Sequence, residues 1–577
     1  MEPKPLSIRP MPPVKDTFAQ LKEAAQYSAS SLLGRGSRNL FFTIARSIIE
    51  QSATARLDAA SDWQNQTMTD AYLSGRESLA LFSNISYLFE APVESISALE
   101  RAANLTHRAL LFNAELRAKT LAPEVEAGFL LESEQYPYFF GTSRIPGELR
   151  DERFHAPDSR HFIVSFKGQF YRINLGPEQP RCADLAATFE EIVRSHSSTQ
   201  QKIGILTALP RPRWANIRRQ LATSTVNAKS LRSIDEALFL VALDLGCRCE
   251  NRTEAMRNLI FGDFASRWFD KSHQLIVLGD GTAGINRDHS FLDGHPTLRY
   301  VQYLTSEVDP RCNDSGKAMH FEMIKWHVDE LLSKAISDTE LTLAAEAAQF
   351  SIDTWDSPEL GTEAAKSCGL NADFIMQAAI HMACYKVFGR FINSTEAVHM
   401  RHTQSGRYDS ILTLTPAMAR LVSKFDQANQ SERRQLIALG QEAHRDRIRS
   451  CKKGNSPILH LTALLSSNIK FGPLSLKSDG IYWRGQRKLM AAPWHDITSC
   501  TVTTSHPGAR PGLECSGFTD TYPGVVGVSY LVKRDRTTVY IKADNDKLGF
   551  ADAIKRELTQ ALGDLMAAAR QSSGSKT

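Results

Sequence analysis

The stretch from Arg267 to Gly294 constrains this chain more than any other. It opens with Arg267-Trp268-Phe269-Asp270-Lys271-Ser272 and enters an apolar run over 274–278. The length and branched side chains of that run predict a buried strand. A glycine-rich turn follows, and His289 then stands four residues before Asp293. Gly281, Gly284 and Gly294 allow the tight backbone that such a turn needs. Imidazole has the side-chain pKa nearest neutrality. His289 can therefore take a proton from a hydroxyl or thiol as that group attacks a carbonyl. Asp293 can hold the far ring nitrogen and steady the imidazolium. Taken alone, the pair also reads as a surface histidine near a surface aspartate.

Strand-like and helix-like patterns alternate on both sides of this stretch. His161–Phe166 and 169–175, around Lys167-Gly168, predict a β-hairpin. Residues 203–207 read as a buried strand. Helical periodicity covers 17–72 with a break at Gly34-Arg35-Gly36, then 96–122, 183–195, 233–246 and 320–350. A loop over 361–377 enters a helix that continues to Phe388, and 411–451 reads as two charge-rich helical segments. The last third gives β-like runs at Gly480–Trp483, 526–533 and 537–542, then a closing helix over 546–569. Residues 570–577 are Ser/Gly-rich and read as disordered. Strands interleaved with helices argue for an α/β architecture.

Composition excludes several classes. The 577 residues suffice for two to four domains, or two large ones. A net charge of +4 gives no electrostatic footprint for nucleic acid. No apolar run approaches the roughly 18 residues needed to span a bilayer. The 9 cysteines are scattered, with only Cys247-Arg248-Cys249 close together. That usage suits a reducing compartment rather than a disulfide framework or a zinc site, and no metal site is expected. The first residues carry neither a signal-peptide core nor an Arg-rich transit helix. The final Ser575-Lys576-Thr577 differs from a peroxisomal Ser-Lys-Leu address in its last residue. A cytoplasmic protein is expected.

The 267–294 segment resembles the choline/carnitine O-acyltransferase family, which reads RWFDKSxQxIV, a glycine-rich turn, then (E)HSxxDG. Further matches are Asp70-Ala71-Tyr72-Leu73 with Arg76 and Ser83-Asn84, and Gln135-Tyr136 through Arg144-Ile145-Pro146-Gly147 to Asp151. The segment from Thr207 through Arg211 and Trp214-Ala215 to Arg218 matches as well. The resemblance runs from about residue 7 to about residue 560. It implies two similar domains, each a mixed β-sheet covered by helices in the chloramphenicol-acetyltransferase manner, with an active-site tunnel between them. One domain would be discontinuous, 1–90 plus 335–577, and would carry the acceptor and pantetheine sites. The other, 91–334, would carry the histidine. The resemblance makes His289 the sole general base, with Asp293 assisting. His444, His381 and His295 lack this turn and are read as core or surface histidines. Thr503-Thr504-Ser505-His506 stands where the family reads STSQ, which makes Ser505 the oxyanion donor with Thr504 beside it. Tyr72 would help from the other side. Phe518 occupies a position that in the family lines a trimethylammonium pocket, and it reads equally as core. Ser516 stands where a bulky side chain blocks the acyl channel in short-chain members, so the channel is expected to be open.

The departures from the family pattern are informative. Of the two lysines that grip the 3′-phosphate of coenzyme A, Lys366 is kept, as is Asp373 further on, but the first lysine is Thr362 with Glu363 beside it. A phosphate clamp short of one cation binds more weakly. The family holds carnitine's carboxylate with a Tyr, a Thr and an Arg. The matching positions here are Thr395, Tyr408 and Leu459. Three readings follow. The first is an acyltransferase whose acceptor is not carnitine, fed by acyl-CoA or by the acyl-phosphopantetheine of an acyl carrier protein, as in polyketide chain release onto a polyol. The second is a carnitine or choline acyltransferase with an altered pocket. The third is a catalytically idle scaffold, against which the intact His289–Asp293 pair argues. No permanently bound cofactor, no nucleic-acid partner and a monomeric state are expected.

Overall fold

The computed structural model describes residues 3–27, 35–52, 62–92, 96–196, 202–309, 312, 314–466, 470–471, 473–477, 480–483, 500–519, 525–544 and 549–570. The strands of its two large sheets are, in chain order, β1 (Ile85–Phe89), β2 (His161–Phe166), β3 (Gln169–Asn174), β4 (Leu240–Asp244), β5 (His273–Leu278), β6 (Ala283–Arg287) and β7 (Phe321–Met323). They continue with β8 (Phe350–Ser357), β9 (Ser394–His399), β10 (Tyr408–Leu412), β11 (Val502–Ser505), β12 (Leu513–Phe518), β13 (Val526–Val532) and β14 (Thr537–Asp544).

The first sheet has the order β7-β3-β2-β4-β5-β6-β1-β12, and the second β8-β14-β13-β11-β9-β10. Each is mixed, with parallel pairs at the centre and antiparallel pairs outside. In the first, Ile163 lies opposite Leu240 and Leu240 opposite Gln274, both in parallel register. In the second, Val502 lies between Ser394 and Val526, again in parallel. Helices cover both faces of the first sheet, which explains why the apolar runs at 161–166 and 274–278 do not alternate with polar residues. Along β2, Phe162 and Val164 enter the core on one side and Ile163 the core on the other. The second sheet packs one face on helices Ala372–Phe388 and Phe550–Arg570. This is the α/β architecture that the alternating pattern implied, with the two mixed sheets that the resemblance implied.

One strand changes partners. The chain leaves β11 in the second sheet, pairs β12 with β1 in the first, and returns to the second as β13. The helix Val14–Ala25 packs Val14, Phe18 and Leu21 with Leu412, Leu461 and Leu464 from the C-terminal half.

The expected hairpin forms, with Phe166 opposite Gln169. Other expectations are corrected. Residues 203–207 form part of a 3-10 helix, Ile203–Ala208, not a strand. Gly204 lies against the carbonyls of Ala265 and Arg267, so close that a Cβ there would sit 2.4 Å from each oxygen. The helix expected over 233–246 splits. Thr225–Glu236 is helical, whereas Leu240–Asp244 is the central strand β4. The helix expected over 320–350 begins at Glu330, after the short edge strand β7. The structure also joins Cys182 to Cys312 in a disulfide, which scattered cysteines had not suggested. The tail over 571–577 and residues 520–524 lie outside the described residues. No helix among the described residues is long and apolar enough to cross a membrane.

Candidate active site

The turn after β6 is pinned from within. The Asp288 carboxylate accepts from the Ser290 N–H at 3.1 Å and from its hydroxyl at 3.0 Å. His289 projects from this turn and is buried, 8% exposed. Its ring stacks on Tyr72 at 4.8 Å and lies 5.5 Å from the ring of Tyr408. Asp293 begins the helix Gly294–Thr305, but its carboxylate does not cap that helix. It accepts from Arg407 Nη2 at 2.7 Å and from Gln135 Nε2 at 2.9 Å. His289 Nδ1 lies 3.8 Å from Asp293 Oδ1, beyond hydrogen-bond reach. The expected hold on the ring nitrogen is thus replaced by a charge facing it, because Arg407 and Gln135 occupy the carboxylate. Burial, then the charge of Arg287, push the imidazole down to about 3, with Asp293 opposing and Arg407 adding to the shift. The His289 imidazole is therefore neutral at physiological pH. Burial opposes the charge on Asp293, yet Arg407 holds it below the usual carboxylate range.

Arg407 is the residue the sequence reading passed over. Besides Asp293, it donates to the Ser290 carbonyl at 2.9 Å and the His289 carbonyl at 3.0 Å, tying the turn to the second sheet. Gly406 before it cannot carry a side chain, since a Cβ would sit 2.1 Å from the Met400 carbonyl oxygen. Arg144 supports the turn from the other side, donating to Ser290 Oγ at 2.7 Å. Behind it runs a buried ion network. Arg144 and Arg211 share one oxygen of Asp151, both at 2.7 Å, and Arg211 also reaches Asp270 at 2.7 Å. The motifs at 144–151, 207–218 and 267–272 are thus the scaffold of the histidine turn.

Two cavities meet at this point. The first, about 390 Å³, is lined by His289, Asp373, Thr395, Ser505, Ser516 and Phe518, among others. The second, about 320 Å³, is lined by Tyr72, Ser78, Asp409, Leu459 and Thr462, among others. Tyr408 and Ser410 line both. A 2.5 Å hydrogen bond joins the Tyr72 and Tyr408 hydroxyls between them.

Strand periodicity sorts the remaining candidates. Along β11, Val502 and Thr504 face the helix Ala372–Phe388, and Thr503 and Ser505 face away from it. The Thr504 hydroxyl donates to the Thr395 carbonyl and accepts from Gln377, both at 2.9 Å. Thr504 and Ser505 both line the cavity, but the Thr504 hydroxyl is committed to the scaffold, while Ser505 is in register with Ser529 on the opposite face of the strand. On β12, Ser516 and Phe518 face the first cavity, opposite Tyr87 and Ile85 of β1. The Ser516 hydroxyl lies 2.6 Å from that of Ser529. Phe518 is also a core residue, 4% exposed. Asp373 accepts from the Tyr530 hydroxyl at 2.7 Å and contacts His444 at 3.1 Å. Burial, then neighbouring Asp373, raise the Glu396 carboxyl well above the usual range, and it lines the first cavity. Lys366 is exposed on the short helix Thr362–Ser367, and neither it nor Thr362 lines either cavity. Of the three carboxylate-ligand positions, Thr395 lines the first cavity, Leu459 the second and Tyr408 both.

The family model of choline/carnitine O-acyltransferases matches residues 9–556. The chain belongs to that family. It is 25% identical over 541 residues to the muscle isoform of carnitine O-palmitoyltransferase 1 of Rattus norvegicus, covering 86% of this chain and 68% of that protein. It is likewise 25% identical over 519 residues to mitochondrial carnitine O-palmitoyltransferase 2 of Xenopus tropicalis, covering 81% and 76%. Against mitochondrial carnitine O-acetyltransferase of Saccharomyces cerevisiae it is 25% identical over 396 residues, 64% of this chain and 59% of that one. Among solved structures, the first condensation domain of the CDA synthetase superposes with a TM-score of 0.40 at 10% identity, over 87% of this chain and 95% of that one. As a member of the choline/carnitine O-acyltransferase family, the chain is an acyltransferase, moving acyl groups to hydroxyl acceptors.

Proposed function

We propose that this acyltransferase moves an acyl chain from a pantetheine thioester in the first cavity to an alcohol other than carnitine in the second. The observation that carries the reading is the charge of the second cavity. Arg144 is the only cation among the described residues that line it. Its guanidinium is occupied by Asp151, Ser290 and the Tyr72 carbonyl. Arg9, behind the wall, is paired with Asp409. A substrate carboxylate placed beside Leu459 meets no unpaired cation among the described residues that line the cavity, and burying an unpaired charge is costly.

The chemistry runs as a direct transfer. His289 takes the proton of the acceptor hydroxyl, and the oxygen forms its bond to the thioester carbonyl carbon. Ser505 donates to the oxyanion, a contribution of about 3 kcal/mol by analogy with other such donors. Collapse breaks the carbon–sulfur bond, and the imidazolium returns its proton to the leaving thiolate. Asp293, fixed by Arg407 and Gln135, steadies the charged ring. Tyr72, stacked on the ring, and Tyr408 position it between the cavities. Thr395 and Phe518, expected on the acceptor side, line the first cavity and so shape the donor side in this reading, and Ser516 leaves the acyl channel open.

The donor is acyl-CoA or the acyl-phosphopantetheine of a carrier protein. The loss of the first clamp lysine and the exposure of Lys366 favour the second, and with it a polyketide synthase as source of the chain. The same reading divides the monomer into 1–90 plus 335–577 and 91–334, places it in the cytoplasm, and requires no bound cofactor. A second acceptor, choline, is favoured by the exposed Glu77 carboxylate on the second cavity. The test is transfer from a medium-chain acyl thioester, on coenzyme A and on a pantetheine carrier, to carnitine, choline and a panel of polyols, with products read by mass spectrometry. Ester on a polyol or choline and none on carnitine supports the reading. Efficient acylcarnitine formation overturns it.

A further inference from the structure

Three side chains from separate segments converge beside the first cavity, and two of them, His295 and His399, line it. Glu126 lies on a short strand, Val125–Glu126, His295 in the first turn of the helix Gly294–Thr305, and His399 at the end of β9. The two imidazoles stack with centroids 4.3 Å apart and planes 20° apart. His399 Nε2 lies 3.4 Å from Glu126 Oε1. One ligand atom of each residue lies within 4.8 Å of those of the other two. The His399 Nδ1 is buried and has no hydrogen-bond partner. None of the three has a part in the transfer chemistry above.

We propose that Glu126, His295 and His399 bind a divalent transition-metal ion, zinc above all. Two imidazole nitrogens and one carboxylate oxygen form a ligand set that suits zinc, and three protein ligands leave a fourth position open. Ligand atoms about 2.1 Å from a tetrahedral ion lie about 3.4 Å from one another. The His399–Glu126 contact already has that spacing, so closing the site needs a change at His295 alone. The neighbouring cations, Arg401, Lys452 and Arg510, do not bar it, and Arg510 is exposed. Arg401 is occupied by Glu124 at 2.6 Å and by the Glu132 carbonyl at 2.9 Å. Lys452, also on the cavity wall, is exposed and can swing into solvent. A second grouping, Asp373, Glu396 and His444, is already engaged by Tyr530 and by contacts among its own members, and it serves as an internal control.

The experiment is calorimetric titration of zinc chloride into the chelator-treated full chain, with cobalt(II) absorption as a second readout. One equivalent is expected to bind with a micromolar or lower Kd. His399→Ala and Glu126→Gln are expected to weaken binding at least tenfold, and His444→Ala to leave it unchanged. Cobalt(II) on the unmodified chain is expected to give intense visible bands of a four-coordinate site. Those bands decide the question even where a variant fails to fold. Absence of cobalt bands, or zinc binding retained in a folded His295→Ala/His399→Ala variant, would overturn the site.

Discussion

At the residue scale the site turns on a buried base whose charge is controlled by its neighbours. The imidazole of His289 is pushed to about 3 by burial and by Arg287. The pH profile of kcat/KM is therefore expected to stay level through pH 6.5, the ordinary imidazole midpoint. A fall centred near 6.5 would show that His289 titrates as an exposed ring. Stability follows the same sign. Below 6.5 the unfolded chain protonates this histidine and the folded chain does not. Its contribution is present above 6.5 and is lost as pH falls toward about 3. Arg407→Ala leaves the buried Asp293 carboxylate without its partner, at a cost of about 3–5 kcal/mol in denaturant unfolding. An unchanged midpoint would remove Arg407 from the account. His289 and Asp293 were legible in the sequence because they are four residues apart. Arg407 was not, because it reaches Asp293 from 114 positions away. The available signal was an arginine directly after a glycine, Gly406-Arg407, beside the replaced position Tyr408.

At the element scale, what decided legibility was whether burial on two faces left any periodicity to read. The 161–166 and 169–174 hairpin had a turn between its strands and was legible. The 240–244 strand follows a helix directly and is apolar throughout, so a helical window ran through it. The distinction between Thr504 and Ser505 is likewise one of strand phase, fixed only once β11 is seen between β9 and β13. That phase makes a prediction. Ser505→Ala is expected to lower kcat by about 10²- to 10³-fold with little change in melting temperature. Thr504→Ala is expected to act chiefly on stability, by freeing Gln377 and the Thr395 carbonyl. Equal losses of kcat in the two would reverse the assignment. The Cys182–Cys312 bridge ties the helix Cys182–Ser195 to a segment 130 residues on. Reduction, or Cys182→Ser, is expected to cost about 2–4 kcal/mol in unfolding experiments. Identical unfolding curves with and without reductant would show that the bridge contributes nothing.

At the scale of the whole molecule, two sheets of similar build meet at one histidine turn. β12 crosses from one sheet to the other, so the wall facing His289 is made by both. The buried ions behind the turn explain why so much of the legible sequence pattern serves support and so little touches the cavities. The acceptor side was legible only as a set of replaced residues. Its depth, its charge and the Tyr72–Tyr408 bridge needed the fold. The central claim is that this geometry lets His289 drive one-step transfer between the cavities. The direct measurement is stopped-flow release of thiol from a medium-chain acyl-CoA, with and without an accepted alcohol, in the unmodified chain and in His289→Ala. The account predicts release only when both the alcohol and His289 are present, with no acyl adduct in the intact protein mass. A thiol burst without alcohol, a covalent acyl-enzyme, or full release by His289→Ala would contradict it.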